Sequence, residues 1–329
     1  MFLQKLDQMV ISLIGKGLLM NKYKIILDTD IGDDIDDAFA LAILLQEKQA
    51  DLIGVTTVFR NTRQRGKMAS YLISTFKRNV NVYCGCDNPL IAEIKDLVPK
   101  NILEKETVDE YGKYYLPQYL EKMNEGRIEK KHAIDFIIES VHQYPHQVII
   151  FGIGPLTNLA MAIRKDPSIV PLIKEVRLMG GDPTNVNTKE WNIFCDPEAA
   201  RIVFSSKVNL YIVGLNVTLK CQLTSKYREL LKNVKKEKYA LISEMMEKWF
   251  KHYEFNMPVM HDPLAIACLF DDFCKFEKAK IKVGLENEKR AVTYFSDDGN
   301  DIYYAKEVDV EKFFDYFVKT IFEIKNIER

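Results

Sequence analysis

Residues 25 to 45 read IILDTDIGDDIDDAFALAILL, and no other stretch limits so sharply what this chain can become. An apolar run from Ile25 to Leu27 meets Asp28, Asp30, Asp33, Asp34, Asp36 and Asp37, and Ala38 to Leu45 then repeats apolar residues at helical spacing. That order reads as strand, acidic turn and helix. Six carboxylates in ten residues repel one another strongly unless protons or a cation neutralise them. The positive end of the following helix stabilises Asp36 and Asp37, but by only about 0.3 to 1 kcal/mol each. A solvated capping turn therefore leaves most of the cluster unexplained, and a hard metal ion is the simplest neutraliser.

Further strand patterns follow at Leu52 to Val58, Val80 to Tyr83, Val148 to Phe151, Glu175 to Met179 and Leu210 to Val213. Helical patterns lie between them at Arg63 to Phe76, Ala133 to Tyr144, Leu156 to Ile163 and Pro197 to Phe204. The alternation predicts an α/β fold, an open and mostly parallel Rossmann-like sheet flanked by helices. In such sheets ligands bind beyond the carboxyl ends of the strands. Asp30, Asn61, Ile153 and the Gly180 to Asn192 loop all follow such ends, so they can converge on one crevice.

Two segments break the alternation. Lys95 to Lys131 is charged and aromatic, with Tyr111, Tyr114, Tyr115 and Tyr119 around Gly112 and Pro117, and reads as a surface insertion or a lid. Lys226 to Phe255 carries Leu, Met, Trp249 and Phe250 on one helical face, and reads as a helical cap over the strand ends with a solvated basic face. Residues 1–20 form an apolar extension interrupted by Lys16 and too short to span a bilayer,. Residues 21–329 read as one catalytic domain, since no repeat, low-complexity tract or long linker divides them.

With 47% hydrophobic and 28% charged residues among 329, and a net charge of −1, the chain has the composition of a globular protein with no global field to draw in nucleic acid or an anionic membrane,. Its six cysteines show no paired metal-binding spacing, which fits a reducing cytoplasm,. The chemistry must then be local. Asn61, Glu190, Asn192, His261 and Asp262 are side chains of the kind that orient sugar hydroxyls, which both donate and accept hydrogen bonds. Calcium takes six to eight oxygen ligands at roughly 2.3 to 2.6 Å, and Asp30, Asp37 and Asp262 can supply carboxylates. The plain alternative makes His261 a structural residue and Asp262-Pro263 a helix start.

The segments ILDTDIGDDIDDAFALAILL, GVTTVFRN, IGPLTNLAMAIRKDPSIVPLIKEVRLMGG, EWNIFCDPEAARIVF, IVGLNVT and MHDPLAIA, in that order, resemble the inosine-uridine-type nucleoside hydrolases. The resemblance runs from about Tyr23 to Phe270 and continues weakly to the C-terminus. It implies a calcium-dependent N-ribohydrolase that cleaves a ribonucleoside to base and ribose and forms a homodimer or homotetramer. By the same resemblance Asp30 touches the metal and takes the proton of the attacking water, Asp37 and Asp262 are metal ligands, and Ile153 offers calcium its backbone carbonyl. Asn61, Asn185, Glu190 and Asn192 match positions that hold the ribose, and His261 matches a residue that protonates the leaving base.

Three features depart from the family pattern. The acidic turn is two residues longer than the common form, so either Asp34 or Asp36 can face the ribose, with Asp36 favoured by its adjacency to Asp37. The Gly181 to Glu190 loop is short, leaving Asn185 or Asn187 for one role, and Trp191 stands where Phe is usual. The His-Gly-rich loop expected near residues 108–117 is absent, which leaves the base open. Two competing readings remain: a haloacid-dehalogenase-type phosphohydrolase, suggested by ILDTD alone, and a nucleoside-binding protein without turnover.

Overall fold

The computed structural model describes residues 22–227, 229, 237–253 and 257–322. The proposed N-terminal extension and part of the Lys226 to Phe255 stretch lie outside them. Strands β1 (Tyr23–Thr29), β2 (Ala50–Thr57), β3 (Val82–Cys84), β4 (Val148–Gly152), β5 (Glu175–Met179) and β6 (Leu210–Val213) pair in parallel in the order β3-β2-β1-β4-β5-β6. Each lies within two residues of its predicted limits. The sheet continues with β7 (Cys274–Val283), β8 (Thr293–Phe295) and β9 (Asn300–Val308) in the order β6-β9-β7-β8. β9 runs parallel to β6, while β7 is antiparallel to both β9 and β8. These three strands have no counterpart in the sequence reading. β7 reads CKFEKAKIKV, with lysines on its outward positions, and an antiparallel strand with one wet face lacks the continuous apolar run that marked the central strands.

Helices α1 (Asp36–Gln46), α2 (Thr62–Thr75), α3 (Ala133–Gln143), α4 (Thr157–Lys165), α5 (Trp191–Cys195), α6 (Pro197–Ser205), α7 (Glu237–His252), α8 (His261–Ala267) and α9 (Val310–Phe322) cover the sheet. Side chains alternate across a strand, and β1 divides its apolar residues accordingly. Ile25 and Leu27 join the core formed with α1, α2, α7, α8 and α9, whereas Ile26 joins the core of α3, α4 and α6. α1 is buried on every side from Asp36 to Leu45. It lies between the sheet and the outer helices α8 and α9, which explains why its sequence is apolar all round. A helix so enclosed holds its first turn rigidly, and that turn carries Asp36 and Asp37.

Candidate active site

The acidic turn leaves β1 at Thr29. The Thr29 hydroxyl donates to Asp37 Oδ1 and accepts from the Ile31 amide at 3.1 Å, tying strand end to helix start. Gly32 has φ of +122°, and a Cβ there would meet Leu116 Cδ1 at 2.8 Å. Both facts require glycine. Asp33 pairs with Arg65 at 2.7 Å and accepts from the Tyr114 hydroxyl at 2.9 Å. Asp34 accepts from the Ile35 amide at 2.6 Å and from the Trp249 side chain, so α7 ends against the turn as the predicted cap does. Asp30 lies against Gly154, where a Cβ would stand 2.8 Å from Asp30 Oδ1. That contact brings the Ile153-Gly154 turn beside Asp30.

Asp36, Asp37 and Asp262 form the group of chelating geometry found among the described residues, with carboxylate oxygens all within 4.8 Å of one another. All three are buried. The Asp262 amide donates to Asp36 Oδ2 at 3.0 Å, joining the start of α8 to the start of α1. Asp30 is not one of the three, but its charge acts on each of them. Burial, then the neighbouring carboxylates, push Asp36, Asp37 and Asp262 well above the ordinary range. Burial likewise pushes Asp30 up to about 7, against the field of Arg65, and Asp34 up to about 6.

Hydrogen bonds from Thr29 and the Asp262 amide satisfy only part of this oxygen-rich cradle. Three buried carboxylates so close together suit a hard divalent cation, which removes the repulsion and accepts oxygen donors alone. The residues present therefore fit a metal. The Ile153 carbonyl accepts from Asn192 Nδ2 at 3.1 Å, so the loops after β4 and β5 meet at this point.

Around the carboxylates, Glu190 caps α5 by accepting from the amides of Asn192 at 2.8 Å and Ile193 at 3.1 Å, and it also accepts from the Gly181 amide at 3.1 Å. Burial raises its pKa against those three donors. Trp191 is 46% exposed, with its ring edge-on to Phe59 and tilted against Phe194. Asn61 is buried and caps α2, and its amide donates to Asp109 Oδ2 at 2.8 Å and to the Tyr114 carbonyl at 2.9 Å. Asn185 is exposed, and its Oδ1 accepts from the Asn187 amide at 3.1 Å. The structure thus brings Asp30, Asp36, Asp37, Ile153, Glu190, Asn192 and Asp262 to one locus, and leaves Asn185 on the outer loop.

His261 begins α8, with Nδ1 2.7 Å from Thr218 Oγ1. Burial lowers its pKa to about 4, so the ring is neutral near pH 7. Sequence reasoning missed Thr218, and it missed the support beneath the turn. Asp28 accepts from Thr56 Oγ1 at 2.6 Å and Asn158 Nδ2 at 2.8 Å, and burial pushes it up to about 7. Arg65 is fully buried. The one available signal for it was a charge argument, because six crowded carboxylates call for an internal cation.

The family model of the inosine-uridine preferring nucleoside hydrolases matches residues 25–315. Uridine nucleosidase 1 of Arabidopsis thaliana is 33% identical over 289 residues, covering 82% of this chain and 81% of the relative. The pyrimidine-specific ribonucleoside hydrolase RihB of Escherichia coli is 31% identical over 278 residues, covering 82% and 85%. Among solved structures, a purine-preferring ribonucleoside hydrolase from Gardnerella vaginalis superposes with a TM-score of 0.76 at 27% identity, covering 91% of this chain and 98% of that one. An inosine-uridine preferring nucleoside hydrolase from Bacillus anthracis, at 22% identity and a TM-score of 0.72 over 92% and 100%, shares the fold. The family match takes in the acidic turn, the loops at the strand ends and the His261-Asp262 pair, and on that breadth this chain belongs to the inosine-uridine preferring nucleoside hydrolase family.

Proposed function

We propose that this chain hydrolyses the N-glycosidic bond of a ribonucleoside to free base and ribose, with calcium held by Asp36, Asp37 and Asp262 and with Asp30 and the Ile153 carbonyl at the edge of that cradle. The observation that carries this reading is the meeting of acidic side chains from the first turn and from α8 in one buried group within 4.8 Å. When bound, the ion supplies positive charge that anchors ribose hydroxyls and polarises a nearby water.

The remaining chemistry falls to the protein. Asp30, at the edge of the cradle beside the Ile153-Gly154 turn, takes the proton of the attacking water. As the water oxygen closes on C1′, the bond from C1′ to the base nitrogen breaks and its electron pair leaves with the base. Positive charge builds on the sugar ring, and the surrounding carboxylates favour it. His261 is neutral. In the tautomer where the Thr218 hydroxyl donates to Nδ1, the ring proton sits on Nε2, where it stabilises the departing base by a hydrogen bond,. Glu190 and Asn192 hold the ribose, while Asn61 braces the neighbouring loop. Trp191, with Phe59 and Phe194, offers an aromatic wall to the nucleoside.

The relatives named above divide between pyrimidine and purine substrates, so the test uses a panel of both, together with modified nucleosides. Purified protein is expected to release free base, to lose that activity to a chelator and to regain it with calcium. Tight calcium binding without release of base from any nucleoside would favour a binding protein.

A further inference from the structure

Arg65 is the largest fully buried side chain among the described residues, and nothing in the proposed reaction uses it. It projects from the first turn of α2 and spends its guanidinium on the acidic turn. Nε donates to the Phe59 carbonyl at 2.7 Å, Nη1 to the carbonyls of Asp30 and, at 3.0 Å, Ile31, and Nη2 to Asp33 Oδ2 at 2.7 Å. The fork therefore fixes the backbone of Asp30 itself and of the residue after it. The other oxygen of Asp33 accepts from the Tyr114 hydroxyl.

Tyr114 belongs to the segment from Glu106 to Gln118, which lies over the turn as a strap. Its ring centroid lies 3.6 Å from the Arg60 guanidinium carbon, and Arg60 also pairs with Glu106 through both nitrogens. Further along, the Leu116 amide donates to Gln64 Oε1 at 3.0 Å, and Gln118 Nε2 donates to the carbonyls of Asp33 at 2.9 Å and Asp34 at 2.7 Å. Phe59 and Arg60 themselves have φ of 71° and 64°, a conformation non-glycine residues adopt only when their surroundings hold them there. Thus the strap, the end of β2 and the acidic turn share one hydrogen-bonded knot, with Arg65 at its centre.

We propose that Arg65 is a positioning residue for the Asp30 carboxylate, and that Asp33 and Tyr114 relay this positioning to the strap from Glu106 to Gln118. Asp33 is then what the relay grips: it gives Arg65 its carboxylate partner and gives the strap its anchor. The proposal rests on Asp30 being the base. A planar fork with donors in fixed directions does what a lysine ammonium cannot, and displacing a reacting group by about 1 Å costs on the order of a hundredfold in rate.

The test compares the full calcium-loaded chain with Arg65→Lys, Asp33→Asn and Tyr114→Phe on one nucleoside that the unmodified protein cleaves, together with calcium affinity by calorimetry and trypsin cleavage after Lys105 and Lys113. Arg65→Lys is expected to lower kcat by about 30-fold to 100-fold, with KM and calcium affinity changed by less than about threefold. Tyr114→Phe removes one hydroxyl and leaves the fold intact; it is expected to speed trypsin cleavage of the strap severalfold, with a smaller fall in kcat, and Asp33→Asn should fall between the two.

An Arg65→Lys kcat within twofold of the unmodified value overturns the proposal. So does a loss of kcat that calcium affinity and melting temperature follow in step, since that marks a merely structural role. If Arg65→Lys does not fold, an Asp33→Asn chain with unchanged kcat and unchanged trypsin resistance overturns it equally. If the unmodified chain cleaves no nucleoside at all, the hydrolase reading fails by itself. The relay is then judged by trypsin alone, where Asp33→Asn and Tyr114→Phe straps as resistant as the original overturn it.

Discussion

His261 shows how one side chain's surroundings decide what it can contribute. Its imidazole is mostly enclosed, its pKa falls to about 4 through burial, and Thr218 Oγ1 sits 2.7 Å from Nδ1. A charged imidazolium is therefore scarce near neutrality, so in the proposed reaction the ring would act as a neutral donor beside Thr218. Hydrogen-bond or proton donation of this kind contributes about a hundredfold or more where the leaving group is poor. His261→Ala is expected to slow nucleoside cleavage by about that factor, yet to leave 4-nitrophenyl riboside, whose phenolate departs unaided, within about threefold. Thr218→Val should show the same pattern at smaller amplitude, because the ring remains but loses its orienting partner. Equal slowing of both substrates would instead place His261 in binding or folding.

Among the elements, the acidic turn carries Asp30, Asp36 and Asp37, and Gly32 is the residue in it whose positive φ and crowding against Leu116 admit no side chain. Alanine there must hold φ near +122° and force its Cβ against Leu116, which is itself fully buried. The expected cost is about 1 to 3 kcal/mol of stability, read as a lower melting temperature, with a larger proportional loss of kcat because the turn carrying Asp30 shifts first. Local sequence made this element legible: an apolar strand, crowded acids and helical apolar spacing follow one another within residues 25–45. The central strands and α2, α3, α4 and α6 were legible for the same reason, since each carries its own periodicity. β7, β8 and β9 were not. The outward positions of β7 and β9 hold Lys, Glu and Asp, and the inward residues are divided between the two cores, so neither strand shows a continuous apolar run of its own. Arg65 was illegible on a similar ground, for a basic residue in the first turn of a polar helix reads as solvated until the acids packed against it are seen.

For the whole molecule, the cradle is also a long-range tie. Asp36 and Asp37 begin the helix enclosed at the centre of one core, while Asp262 lies in the first turn of α8, which packs against α1, β5 and β6. Bringing these carboxylates together without neutralisation carries a cost, since burial and mutual repulsion raise the pKa of all three. A divalent ion held by the folded arrangement would find no such group in the unfolded chain, and would stabilise the fold by mass action. At a calcium concentration 100 times the dissociation constant the gain is about 2.7 kcal/mol. Thermal unfolding is therefore expected to move upward as calcium is added and to return on chelation. Asp262→Asn should abolish most of the calcium-dependent increment while leaving the metal-free melting temperature equal or higher, because it removes one repelling charge from a buried group. The sign of that second change separates the two roles of Asp262: a ligand in a repulsive cradle gains metal-free stability on neutralisation, whereas a residue that only caps α8 loses it.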